Sequence, residues 1–367
     1  MLTLDGCSRR LDRVRSILAD RELDLLLLTD PCHVYYVTGC LPPWFALGAV
    51  AIGADRSVLA TSEPRSDGAT VDDVRVAEAQ SNATIRLDQA DGIAALLAPE
   101  LAGARRVGLD QGVLGAAVLQ RMEAAFADVT PDLLNLRRRK DPDEVELIQA
   151  AARCVDAAYA RAAQVIEPGL DELALYSELS AAVVEEAGEL PLRFGQDFQC
   201  GSPGGPPRRR PARADELWIL DLGVNYRGYY ADASRVFAVT SPSDEQVRAH
   251  QQAVDTLAEV KRMARPGVAC VDLFNLARER MDEVVPGGMF HHLGHGIGLC
   301  PHEPPYLNPA WPDGLLAEGD VITVEPGVYG PGLRGGVRVE DDMLVTADGV
   351  RTLIHAPKSL RPLERDG

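Results

Sequence analysis

Apolar and polar positions follow two periods along this chain. Residues 8–21 carry Leu11, Val14, Ile17 and Leu18 at helical spacing behind Ser8, which predicts an amphipathic helix capped by that serine. LDLLLLT (23–29) is apolar almost throughout, the pattern of a strand buried on both faces. AVAIGAD (49–55) and SVLAT (57–61) predict a strand pair and RVGLD (106–110) another strand, with helices at Ile93–Leu101 and Ala116–Ala127. These elements make a small α/β domain. At 367 residues the chain exceeds one typical core. The charged stretch Asn135–Glu144, with Pro142, precedes a long helical pattern over about 142–166 and marks the boundary. The expected domains are 1–135 and 136–367. The basic run 137–140 reads as a solvated linker.

The second part repeats itself. Ile166-Glu167-Pro168-Gly169-Leu170 and Ala264-Arg265-Pro266-Gly267-Val268 each follow a long helical stretch and lead into another. Two copies are too few for a solenoid, and they suit two halves of one domain related by a pseudo-twofold. Between them lies LWILDLGVNYRGYYADASRVFAV (217–239), two apolar runs around the turn Asn225-Tyr226-Arg227-Gly228. Asp221 and Asp232 are equally far from a centre between Tyr226 and Arg227, so they are expected to face each other across the hairpin. Two facing carboxylates on apolar strands need a shared proton, a basic partner or a bound cation.

The later sequence favours the cation. FHHLGHGIGLCPHEPPY (290–306) holds four of the seven histidines, with His291, His295 and His302 spaced H-x3-H-x6-H. Its glycines oppose a helix. VITVEPGVY (321–329) puts Glu325 at the end of an apolar strand, and GGVRVEDDMLVT (335–346) puts Glu340 in the next. The two Glu flank the intervening Gly-rich turn symmetrically and are expected to face each other. Two Asp, two Glu and one His make an oxygen-rich donor set suited to Mn²⁺, Mg²⁺, Co²⁺ or Zn²⁺. Four carboxylates exceed the need of one divalent ion and match two, about 3.5–4 Å apart.

Charge and cysteines narrow the class. Against 37 Lys+Arg stand 55 Asp+Glu, a formal charge of −18, which argues against nucleic acid and anionic membrane surfaces as partners. Seven scattered Cys without a CxxC read as reduced thiols, and a polar, charged start reads as no signal peptide, so a cytoplasmic protein is expected.

The stretches Asp221-Leu222-Gly223, Tyr230-Ala231-Asp232-Ala233-Ser234-Arg235, His291-x3-His295-x6-His302, Val324-Glu325-Pro326-Gly327-Val328-Tyr329 and Val337-Arg338-Val339-Glu340-Asp341-Asp342 resemble the creatinase/prolidase (M24, pita-bread) metallopeptidases in order and spacing. Tyr36-Val37-Thr38-Gly39 extends the resemblance into the first domain. It implies an α/β creatinase-like N-terminal domain and an α+β pita-bread domain with a curved antiparallel sheet and a pseudo-twofold. It implies a metal-dependent exopeptidase that cleaves the Xaa-Pro bond of short peptides through a hydroxide activated by two divalent ions, Mn²⁺ first, Co²⁺ or Zn²⁺ otherwise. Asp221 would chelate one metal, Asp232 and Glu340 would bridge both, and His295 and Glu325 would complete the other site. Glu325 would also take the proton of the attacking hydroxide. His291, His302 and Tyr329 would line the substrate pocket, His302 holding the carbonyl oxygen, with Arg338 flanking the metals. A homodimer is implied as well.

One departure stands out. The family usually carries a further His in the loop ahead of the first Asp, yet residues 151–249 contain none. An Arg cluster (Arg208, Arg209, Arg210, Arg213) stands near that place. It reads first as a solvated loop; the sharper alternative is a fork for a substrate carboxylate. Hydrolysis of a small non-peptide amide or amidine, as in the creatinase or ectoine-hydrolase branch, and a non-catalytic binding role are the alternatives to peptide cleavage.

Overall fold

The computed structural model describes residues 1–62, 69–112, 114, 117 and 123–360. They fall into two compact units, Met1–Arg137 and Arg138–Gly367. No helix among the described residues is long and apolar enough to cross a membrane.

In the first unit, helix α1 (Leu4–Asp20) buries Cys7, Leu11, Val14, Ile17 and Leu18 on one stripe. Its cap is Thr3, whose hydroxyl accepts the Gly6 N–H at 3.0 Å, so the helix starts a turn earlier than expected and Ser8 lies inside it. Six strands, β1 (Leu25–Leu28), β2 (Gly48–Ile52), β3 (Ser57–Thr61), β4 (Asp73–Val76), β5 (Arg106–Leu109) and β6 (Ala125–Asp128), form one mixed sheet in the order β4-β3-β2-β1-β5-β6. Helix α2 (Pro31–Thr38) follows β1, and α3 (Gln89–Leu101) packs Ile93, Ala94 and Leu97 on Leu25, Leu27, Ala49 and Ala51. The helix expected over 116–127 falls largely outside the described residues. Its last part is instead strand β6, drawn into the sheet by parallel pairing with β5.

The second unit holds helices α4 (Pro142–Val165), α5 (Glu172–Ala187), α6 (Asp244–Met263) and α7 (Cys270–Asp282), and every strand pair in it is antiparallel. The internal echo has a structural counterpart. Gly169 and Gly267 take φ of 90° and 85°, which L side chains disfavour. Gly169 donates to Ala212 O while Ala212 donates back to Leu170 O, at 2.9 Å each. Gly267 donates to Leu316 O at 2.8 Å while Leu316 donates back to Val268 O at 2.9 Å. The two halves thus repeat one local bonding pattern, as a pseudo-twofold requires.

The hairpin is built from β7 (Leu217–Asp221), β8 (Val224–Tyr226), β9 (Tyr229–Ala231) and β10 (Ser234–Ala238). Its register corrects the expected pairing: Asp221 lies opposite Ser234, and Tyr226 opposite Tyr229. The two-residue turn is Arg227-Gly228, with φ of 48° and 92° at its centre, the conformation that matches strand twist. Asn225 Oδ1 accepts the Gly228 N–H at 2.9 Å and fixes that choice. Asp232 is therefore the diagonal neighbour of Asp221 on the same face.

A second pair of ladders comes from β11 (Val321–Val324), β12 (Gly327–Val328), β13 (Val337–Arg338) and β14 (Asp341–Thr346). Val324 pairs with Asp341 and Gly327 with Arg338, so the shared register sets Glu325 opposite Glu340. The basic run is not a solvated linker. Arg138 forks onto buried Asp320 at 2.9 and 2.7 Å, and Lys140 Nζ lies 2.7 Å from Glu303, both ends buried. Only Arg139 of the four is exposed. The charges sit where α4 begins against the sheet, and buried acids from distant strands neutralise them.

Candidate metal centre

The second unit encloses a cavity of about 380 Å³ that all nine residues singled out from the sequence line: Asp221, Asp232, His291, His295, His302, Glu325, Tyr329, Arg338 and Glu340. Strand ends supply the acids. His295 lies mid-way along a short strand, Gly294–Gly296, whose flanking glycines leave no room for a side chain: a Cβ at Gly294 would stand 2.0 Å from Thr323 O, and one at Gly296 2.2 Å from Pro304 O. The backbones thus approach closely and bring the imidazole to the acids. His295 Nδ1 donates to Gly296 O at 3.1 Å, which leaves Nε2 facing Glu325 Oε1 at 3.8 Å.

Four carboxylates here are at most 8 % exposed. Burial pushes Asp221 up to about 6, against the pull of the Arg338 guanidinium. Burial and then the neighbouring Asp221 hold Asp232 well above the carboxylate range. Glu340 is raised likewise by burial, then by Glu325, Asp232 and Asp221. Glu325 goes the other way: burial alone would raise it, but the His292 hydrogen bond at 2.8 Å and the adjacent His291 and His295 bring it down to about 2. His295 is lowered to about 4, chiefly by burial. One cation of the chain itself meets these acids: Arg338 Nη2 lies 2.5 Å from Asp221 Oδ2. Three oxygens still lack any donor: Asp221 Oδ1, Asp232 Oδ1 and Glu340 Oε2 are buried without a hydrogen bond. Donor atoms of Asp232, His295 and Glu340 all lie within 4.8 Å of one another. Orphaned buried acceptors converging with an imidazole nitrogen fit divalent cations.

Around the acids a second set is fixed by directed hydrogen bonds. Asp342 Oδ2 accepts the Asp232 N–H at 2.9 Å, and Gln196 Nε2 donates to Asp232 Oδ2. The buried Tyr159 hydroxyl lies 3.1 Å from Leu220 O and 2.5 Å from Ala233 O, tying together the residues next to both aspartates. On the substrate side, His291 Nδ1 donates to His292 O at 2.7 Å, so its Nε2 accepts from the Tyr329 hydroxyl at 3.1 Å, which in turn accepts from Arg338 at 3.0 Å. His302 is exposed toward the cavity and stacks on His295, with centroids 3.7 Å apart.

The family model for metallopeptidase family M24 matches residues 146–347, and the creatinase/prolidase N-terminal domain matches residues 10–138. The chain belongs to metallopeptidase family M24. It is 27 % identical over 360 residues to a Bacillus subtilis protein called uncharacterized peptidase YqhT, covering 96 % of this chain and 99 % of that one. It is 26 % identical over 360 residues to the Xaa-Pro dipeptidase of Pyrococcus furiosus, with the same coverage. The solved Xaa-Pro dipeptidase from Bacillus anthracis superposes with a TM-score of 0.84 at 26 % identity, covering 97 % of this chain and 99 % of that one. The creatinase-like domain followed by the pita-bread domain is thus the fold of this M24 chain.

Three polar cavity residues, Gln196, Asp197 and His292, stand outside the set that the sequence singles out. Asp197 Oδ2 lies 2.5 Å from Arg338 Nη2, and the backbones of Asp197 and Asp221 exchange hydrogen bonds at 3.1 Å. Gln196 precedes it. His292 belongs to the histidine cluster but has no role assigned from the sequence, although at 2.8 Å it approaches Glu325 more closely than His291 or His295 does, both at 3.8 Å. No period marks any of them, because 195–200 and 290–293 are irregular backbone apart from single bridges. The loop that lacks the family's histidine brings Pro203 and Gly204 to the cavity, and a Cβ on Gly204 would stand 2.4 Å from Asp197 Oδ2. The Arg cluster does not reach the cavity. Arg208 forks onto buried Glu172 at 3.0 and 2.7 Å, Arg210 pairs with Glu216 at 3.0 Å, and Arg209 and Arg213 are exposed. The substrate-carboxylate fork is overturned: Glu172 and Glu216 claim the Arg208 and Arg210 guanidinium groups, and no arginine of the cluster lines the cavity.

Proposed function

We propose that this M24 chain is a metal-dependent exopeptidase hydrolysing the Xaa-Pro bond of short peptides. The observation that carries the reading is the buried convergence of Asp221, Asp232, Glu325, Glu340 and His295, with three carboxylate oxygens lacking donors. These five residues would hold two divalent cations, and their oxygen majority favours Mn²⁺. When bound, such ions supply Lewis acidity and make water ionisable near neutral pH. Glu325, anionic in the free site, accepts the proton of the attacking water and returns it to the leaving nitrogen. His302 donates a hydrogen bond to the scissile carbonyl oxygen. The Arg338–Tyr329–His291 chain holds the substrate-side wall in one arrangement. Phe290, with its ring 4.7 Å from that of Tyr329, gives an apolar wall for a proline ring, whose amide nitrogen offers no N–H. The relatives named Xaa-Pro dipeptidase, matched over nearly their whole length, support this substrate class.

Metal-stripped protein supplied with Mn²⁺, Co²⁺ or Zn²⁺ is expected to release the N-terminal residue from Xaa-Pro dipeptides or Xaa-Pro-Yaa tripeptides. Hydrolysis of small amides in place of every peptide would overturn the substrate class. Tight metal binding with no hydrolysis of either panel would overturn the enzymatic reading.

A further inference from the structure

His292 stands in the cavity without a part in the ligand set above. Its Nε2 lies 2.8 Å from Glu325 Oε1, and His295 Nε2 approaches the same oxygen at 3.8 Å. Donor atoms of His292, His295 and His302 fall within 4.8 Å of one another. Zinc–nitrogen bonds of about 2.0–2.1 Å put the corners of a tetrahedral site roughly 3.3–3.4 Å apart, which the two Glu325 distances bracket.

The ring planes decide which histidines converge. His302 stacks on His295 at 14°, so an ion in the plane of one ring lies well outside the plane of the other. His292 meets His295 at 75° with centroids 5.3 Å apart, an arrangement in which both lone pairs can meet at one point. Of the two, His292 is the one placed to add a second nitrogen.

We propose that His292 is a metal ligand, and that with His295 and Glu325 it makes one of the two positions nitrogen-rich. That position selects Zn²⁺ or Co²⁺, whereas the position held by Asp221 and Asp232 keeps only oxygen donors and suits Mn²⁺. Imidazole favours Zn²⁺ over Mn²⁺ more than carboxylate does, so each added nitrogen widens the preference. This rests on the dinuclear reading above and deepens it.

The test compares metal-stripped full-length wild type with His292→Gln, whose amide N–H reaches about as far as Nε2 and so is retained for Glu325, and His292→Leu. Zn²⁺ affinity is read by competition with a chromophoric chelator, Mn²⁺ affinity by electron paramagnetic resonance of the free ion, and ligand type by the visible spectrum of the Co²⁺ form. Losing even an outer partner of a ligand typically costs roughly 10–100-fold in metal affinity. Both variants are expected to lose about 100-fold in Zn²⁺ affinity at one position, with Mn²⁺ affinity changed much less and the Co²⁺ bands shifted. An equal loss for Zn²⁺ and Mn²⁺, or no loss for either, would show that His292 only hydrogen-bonds Glu325 and would overturn the proposal. A wild type that binds neither ion overturns this proposal and the function above together. The selectivity loss in a protein that cleaves no peptide upholds the ligand and overturns only the function.

Discussion

Replacing Glu340 by Gln is expected to stabilise the metal-free protein while removing a metal ligand. Glu340 is 2 % exposed, faces Glu325, and has one oxygen without a donor. Burial and then the charges of Glu325, Asp232 and Asp221 raise its folded pKa well above the ordinary 4.5. Folding at pH 7 therefore takes up a proton that the unfolded chain does not hold. The cost is at most about 3.4 kcal/mol, the free energy of protonating a carboxyl of pKa 4.5 at pH 7. Because the folded pKa is raised, the wild-type contribution is whole below about pH 4.5 and is lost as pH rises. Gln carries no proton to take up and its amide can donate to the neighbouring acids, so the variant has no such slope. Urea unfolding of stripped proteins, followed by circular dichroism at several pH values, reads the difference. The variant is expected to be more stable by about 1–3 kcal/mol at pH 7, less at pH 5.5, and equal near pH 4. Added Mn²⁺ should stabilise wild type more than the variant. A variant no more stable than wild type at pH 7, or a difference independent of pH, would refute the crowding argument.

Two further substitutions separate structure from chemistry. Arg208→Ala removes a charged fork from Glu172 but leaves it the backbone amides of Cys200 and Arg208, so a loss of about 1–2 kcal/mol is expected, reduced by the exposure of Arg208. Denaturant titration should show it, while KM for Xaa-Pro peptides stays unchanged; a raised KM would mean the loop touches substrate. Tyr159→Phe deletes a hydroxyl shared by Leu220 O and Ala233 O. Ala233 O keeps the Leu222 N–H and Leu220 O keeps its ladder, so the expected cost is about 0.5–1.5 kcal/mol in urea unfolding. Metal affinity should also fall, because the hydroxyl sets the spacing of Asp221 and Asp232. Unchanged affinity would deny it that positioning role.

Much of the site was legible because each acid or imidazole lies beside a continuous apolar run or a Pro-Gly or glycine turn. Those patterns place a polar side chain where a strand ends, and the Glu325–Glu340 facing follows from symmetry about one turn. The hairpin register was misread by two residues' pairing, since nothing local announces that Arg227 adopts positive φ; the Asn225 side chain decides it in three dimensions. The basic run misled because charge runs are counted without their partners, and Asp320 and Glu303 lie far along the chain. His292, Asp197 and Gln196 sit on irregular backbone, where no period says which way a side chain points. The Arg loop was ambiguous for the same reason: Glu172 and Glu216 choose its direction from below.

The central claim is that the buried acids and His295 form one catalytic metal centre. Metal content and Mn²⁺-restored Xaa-Pro hydrolysis, measured on wild type, Asp232→Ala and Glu340→Ala after each is shown to be folded by circular dichroism, test it together. Two ions per wild-type chain, with fewer ions and no turnover in either variant, are the predicted result. Full turnover in a folded variant that has lost its ions would contradict it.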